Sequence, residues 1–124
     1  MSLSPKIIAT SFQKMVISGQ IREAYDRYVS VDFTHHNPYF AGDREALLVA
    51  MEENYKNFPN KVFEMQRVLE DGNLAAVHSR LQLQPDMPEI VTVHIFRFSD
   101  DKIVEEWDIS QQVPENCPNE NGMV

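Results

Sequence analysis

The sequence predicts an α+β fold in which helices cover one face of a curved antiparallel sheet. Three observations carry this expectation. Up to Pro59, apolar residues recur mostly at helical spacing. From Lys61 the apolar period changes to two, the period of a strand. Asp71-Gly72 then stands between two alternating runs, which is a hairpin signal. Helices gathered at one end of a chain and strands at the other form the α+β pattern. A sheet bent around helices leaves an open cone, and ligand pockets form in such concavities.

The elements follow in order. Ser4 and Pro5 read as an N-cap and first-turn proline, followed by Ile7, Ile8, Phe12, Met15 and Val16 along one helical stripe. Ser18-Gly19-Gln20 ends that helix. A short second helix carries Ile21, Ala24, Tyr25 and Tyr28 on one face. "VDFTHHNPY" reads as a brief strand running into a turn at Pro38. Asp43 caps a third helix with Ala46, Leu47, Ala50, Met51, Tyr55 and Phe58 at helical spacing. Four strands follow: "KVFEMQRVLED", "NLAAVHSRLQLQ", "EIVTVHIFRF" and "KIVEEWDISQQV". Residues 1–113 are expected to form one domain, and 114–124 a polar, Pro- and Asn-rich extension.

Composition narrows the function. The chain has 124 residues, which suits a single domain. It holds 11 Lys and Arg against 19 Asp and Glu, a net charge of -8. Nucleic-acid binders show a basic face, so neither nucleic acid nor an anionic membrane is an expected partner. Cys117 is the single cysteine, too few for an internal disulfide or a thiolate metal site. The first residues lack the apolar core of a signal peptide, and no run reaches membrane-spanning length. The expected location is the cytoplasm.

Several strings resemble a known family. "HHNP", Gly42 before the third helix, "DGNLAAVHSR", "HIFRFSDDKIVEEWDISQ" and "NGMV" are similar to the SnoaL-like, polyketide cyclase-like branch of the nuclear-transport-factor-2-like superfamily. The resemblance implies a cone-shaped barrel: a curved antiparallel sheet wrapped around three N-terminal helices, also called cystatin-like. That superfamily holds cyclases, isomerases, dehydratases, hydrolases and binding proteins, so fold does not name the reaction. This chain departs from the pattern. His94 stands where the branch commonly has Asp, Glu106 where it has His, and Asp101 where it has a turn glycine. By resemblance to ketosteroid isomerase, His94 matches a pocket-facing oxyanion-hole acid and Asn37 a proton-shuttling carboxylate. Asn37 cannot take a proton.

Strand alternation groups the candidate residues. His94, Phe96 and Phe98 share one face of their strand. Glu106 and Asp108 share one face of the next, and Ile103, Glu105, Trp107 and Ile109 the other. A two-residue loop at Asp100-Asp101 sets His94 opposite Trp107, whereas a three-residue loop from Ser99 sets it opposite Glu106. The family's usual glycine at position 101 implies the longer loop, since a three-residue hairpin ends in a left-handed residue. His94, Glu106 and Asp108 are then expected to point inward as an acid/base group, against the plainer reading of a structural ion pair. Leu74, Ala76, His78 and Arg80 share a face that the resemblance puts inward.

The candidate site therefore comprises catalytic His94, Glu106 and Asp108, with His36, Asn37, His78, Arg80, Tyr55 and Phe96 as substrate contacts. A carboxylate beside an imidazole fixes its tautomer and suits it to proton transfer near neutral pH. His36 or Asn37 would contact an enolate oxygen. The expected chemistry is aldol-type cyclisation, isomerisation or dehydration of a small carbonyl compound, with no cofactor. No metal is expected, because the spacing of His36, His78, His94 and Glu106 matches no metal signature. A non-catalytic ligand-binding or dimerisation module is the alternative. Val93, Ile95, Trp107 and Ile109 on the outer face suggest a homodimer formed sheet to sheet.

Overall fold

The computed structural model describes residues 3–124. Three helices, α1 (Pro5–Ile17), α2 (Ile21–Tyr28) and α3 (Arg44–Asn57), pack against a five-stranded sheet. Its strands are β1 (Val29–His35), β2 (Val62–Asp71), β3 (Leu74–Gln82), β4 (Ile90–Ser99) and β5 (Lys102–Gln112), in the order β1-β5-β4-β3-β2. The α+β cone expected from sequence is the observed architecture. The sheet is mixed, because β1 joins its edge parallel to β5 while every other pair is antiparallel.

Local chemistry sets the helix ends. The Ser4 hydroxyl accepts from the Ile7 N–H, and the Asp43 carboxylate from the Ala46 N–H. Gly19 closes α1 at φ 90°, and a Cβ there would lie 2.6 Å from Tyr55 Cζ. Only glycine meets both conditions. The core lies between helices and sheet. Phe12 meets Tyr25 at 5.5 Å and Phe96 at 5.8 Å between ring centroids. Leu47, Leu48, Val77 and Ile103 are also buried there, each contributing about 1.5–3 kcal/mol.

The β4–β5 turn differs from the expected one. Ser99 pairs with Lys102, so the loop is Asp100-Asp101 alone. Both residues have positive φ, 51° and 64°, the requirement of a type I′ turn. Such a hairpin would set His94 opposite Trp107, but a β-bulge intervenes. Phe98 pairs with Ile103 and Arg97 with Glu105, leaving Val104 as the extra residue. The bulge returns His94, Glu106 and Asp108 to one face. It also makes Asp108, not Glu106, the partner of His94. Ile103, expected on the outer face, precedes the bulge and is fully buried in the core.

The face of β3 is likewise reversed from expectation. Ala75, Val77 and Ser79 are buried inward. Ala76, His78 and Arg80 therefore lie on the outer side. No helix or strand follows Gln112, and no described helix is long and apolar enough to cross a membrane.

Candidate active site

A cavity of about 170 Å³ opens between the helices and the inner face of the sheet. Helices α1 to α3 contribute Gln13, Tyr25 and Met51, and the sheet contributes a polar row. Along the β4–β5 ladder, Phe96 pairs with Glu106, His94 with Asp108, and Thr92 with Ser110. Glu106 is 5% exposed and Ser110 lies open to solvent, so the row descends from rim to floor.

His94 Nε2 lies 3.5 Å from Asp108 Oδ1. The other carboxylate oxygen, Oδ2, accepts from Asn37 Nδ2 at 2.9 Å. Asn37 is held in turn, its Oδ1 accepting from the Tyr39 N–H at 3.0 Å. Buried His35 organises this corner. Its Nε2 donates to the Ala41 carbonyl at 2.6 Å, which leaves Nδ1 to accept from the Asn37 N–H at 3.1 Å. The His94 ring stacks on Phe96 at 6.2 Å and tilts toward Phe63. Four buried atoms of cavity residues have no hydrogen-bond partner among the described residues: Gln13 Nε2, Thr92 Oγ1, His94 Nδ1 and Asp108 Oδ1. Each unmet group costs about 1–3 kcal/mol, so together they favour a polar occupant.

Burial dominates the electrostatics. It pushes the Glu106 carboxyl well above its ordinary range, with the nearby Asp108 adding to the effect. It lowers the pKa of His94, partly countered by Asp108. The Tyr25 phenol is raised by burial, then by Glu106 and Asp108, with Arg44 opposing. Burial thus favours the protonated form of Glu106 and the neutral form of the His94 imidazole.

The remaining candidate residues lie elsewhere. His36 points outward, stacked on Trp107 at 5.2 Å with Nε2 2.7 Å from Glu105. Strand alternation separates it from Asn37, which takes the inward position. His78 pairs with Arg67 on the outer sheet face. Arg80 binds Glu64 and Glu89. Tyr55 covers Gly19, away from the cavity wall. Phe96 is fully buried behind His94 and does not line the cavity. Sequence reading had not picked out Gln13, Tyr25, Lys61, Thr92 or Ser110 as cavity residues. Helical periodicity had marked Tyr25 only as core, and alternation from His94 reaches Thr92.

The family described as SnoaL-like domain matches residues 11–106. This chain belongs to the SnoaL-like family. No curated protein matches it. Among solved structures, the SnoaL-like chain is similar to IdmH, a candidate polyketide cyclase from Streptomyces antibioticus. That pair has 22% identity and a TM-score of 0.72, with 88% of this chain and 93% of that one covered. A cystatin-fold protein from Novosphingobium aromaticivorans shares 14% identity at a TM-score of 0.74, covering 87% and 99%. A candidate ketosteroid isomerase from Kribbella flavida shares 19% at 0.72, covering 93% and 83%. At these identities the likeness is one of fold.

Within this SnoaL-like domain, His94, Glu106 and Asp108 each offer one ligand atom within 4.8 Å of the others. They are the described residues that could hold a cation. The same closeness lets them share and move a proton.

Proposed function

We propose that this SnoaL-like protein carries out cofactor-independent proton transfer on a small carbonyl compound. One observation carries the reading: a half-buried imidazole and two carboxyl groups share one cavity in opposed surroundings. Asp108 is tethered by Asn37 beside His94, whereas Glu106 sits dry on the floor. Neutral His94 takes the proton next to the carbonyl, and Asp108 stabilises the imidazolium that forms. Glu106, still protonated, donates to the developing enolate oxygen, with the Tyr25 hydroxyl as a second donor. Return of the proton to another carbon gives isomerisation. Expulsion of a β-hydroxyl gives dehydration, and attack of the enolate on a second carbonyl gives cyclisation.

The test follows loss of α-hydrogen into heavy water by NMR, across a panel of cyclic and acyclic ketones. His94→Ala is expected to slow exchange about 10²–10⁴-fold. His36→Ala, on the outer face, leaves the rate unchanged. If ketones bind in the cavity and none exchanges, the acid/base reading is sunk and a binding module takes its place. We also propose that two copies pair through the outer sheet face, where Ile109 is 57% exposed. A monomer mass by light scattering at micromolar concentration would count against pairing.

A further inference from the structure

The cavity is acidic on its floor and carries one permanent cation, Lys61, among its lining residues. Lys61 immediately precedes β2, next to Phe63 and Leu81, which pair with each other on the way to the mouth. Its ammonium donates to the Asn54 Oδ1, and Asn54 also lines the cavity. The Asn54 Nδ2 donors have no hydrogen-bond partner among the described residues.

Lys61 has no acid partner among the described residues, as is also true of the other lysines and Arg67, but it is the basic residue that lines the cavity. In a chain with 19 Asp and Glu, Arg22, Arg27, Arg44, Arg80 and Arg97 each lie within 4 Å of a carboxylate. No carboxylate of a described residue lies that close to Lys61. The group is half-buried, and burial lowers its pKa with no neighbouring acid to offset the loss of water. A desolvated ammonium beside free amide N–H groups is a strong site for a charged oxygen.

We infer that Lys61 and Asn54 form an anion subsite at the cavity rim, and that the ligand is a keto acid whose carboxylate sits there. The carbonyl end rests on the reading proposed above, but the anion subsite does not. Orientation follows from charge. A carboxylate on the floor would meet Glu106 and Asp108, whereas at the rim it meets the cavity's permanent cation. The ligand therefore lies lengthwise, acid outward and carbonyl toward His94. Apolar Val16, Met51, Phe63 and Leu81 flank the path between the two ends.

The test compares aryl keto acids of graded chain length, beginning with 4-oxo-4-phenylbutanoate, with their methyl esters, by calorimetric titration. The expected result is that the best acid binds about ten-fold or more tightly than its ester. Lys61→Met should abolish that preference and Lys61→Arg should keep most of it, with thermal melting confirming that both variants fold. Asp108→Asn should keep the acid preference even where proton exchange is lost, so the subsite and the reaction fail separately. Equal binding of acid and ester, no binding across the series, or an unchanged preference in Lys61→Met overturns the inference.

Discussion

His94 and Asp108 face each other across the β4–β5 ladder, with Nε2 and Oδ1 3.5 Å apart. The pairing exists because Val104 is an extra residue in β5. Were Val104 paired in a regular ladder, the two side chains would lie on opposite faces. Glu106 sits one pair deeper, opposite Phe96, where it loses water rather than gaining a partner.

Stability should therefore depend on pH through two buried groups of opposite sign. The ordinary Glu106 value is 4.5, and burial raises it. Above that value the unfolded chain has released a proton that the folded protein still holds. Stability then falls as pH rises toward the folded value of Glu106. His94 is lowered from 6.5, so its contribution is full above 6.5 and is lost as pH falls toward its folded value. Glu106→Gln is expected to raise the melting temperature more at about pH 8 than at about pH 5. Equal shifts at the two values would mean that Glu106 is not the buried acid described.

Asn37 is expected to act through Asp108. Asn37→Ala removes a hydrogen bond to a carboxyl group and the turn contact to Tyr39, costing about 1–3 kcal/mol in denaturant unfolding. Asn37→Asp keeps the size but brings two carboxyl groups within hydrogen-bond reach. One of them must then hold a proton to higher pH. The acid limb of the exchange-rate profile is expected to move upward, while ligand affinity changes less. An unmoved limb would assign Asn37 a purely structural role.

The turn and the bulge make separable predictions. Asp101 holds φ 64°, a conformation that glycine adopts without steric cost. Asp101→Gly is expected to stabilise the protein by about 0.5–1 kcal/mol, read from the denaturation midpoint. Deleting Val104 removes the bulge but leaves the pairs from Arg97–Glu105 to His94–Asp108 in register, so the site keeps its face. That variant should keep a cooperative unfolding transition and its near-ultraviolet circular dichroism. Loss of either would refute Val104 as the extra, unpaired residue of the strand.

Much of the fold was legible along the chain. Ser4, Pro5 and Asp43 mark helix starts by chemistry confined to a few residues. Asp71-Gly72 marks the β2–β3 hairpin to within one residue, the loop being Gly72-Asn73. The inward row of His94, Glu106 and Asp108 was also anticipated, but from a longer loop than the one present. Two shifts of one residue, a shorter loop and a bulge, cancel in which face they select and not in which residues they pair. His78 and Arg80 were placed inward by resemblance and the choice between His36 and Asn37 was open; the structure sets His36, His78 and Arg80 on the outer face.

By itself, the sequence determined the elements, their order and the alternating faces, because capping, periodicity and turn preference act over a few residues. Tertiary structure decided which face is inside, which residue meets His94, and that Tyr25, Gln13 and Lys61 share its cavity. Register depends on one residue more or less in a strand. The company a side chain keeps depends on chain segments distant in sequence meeting around a common core, and no local pattern records either.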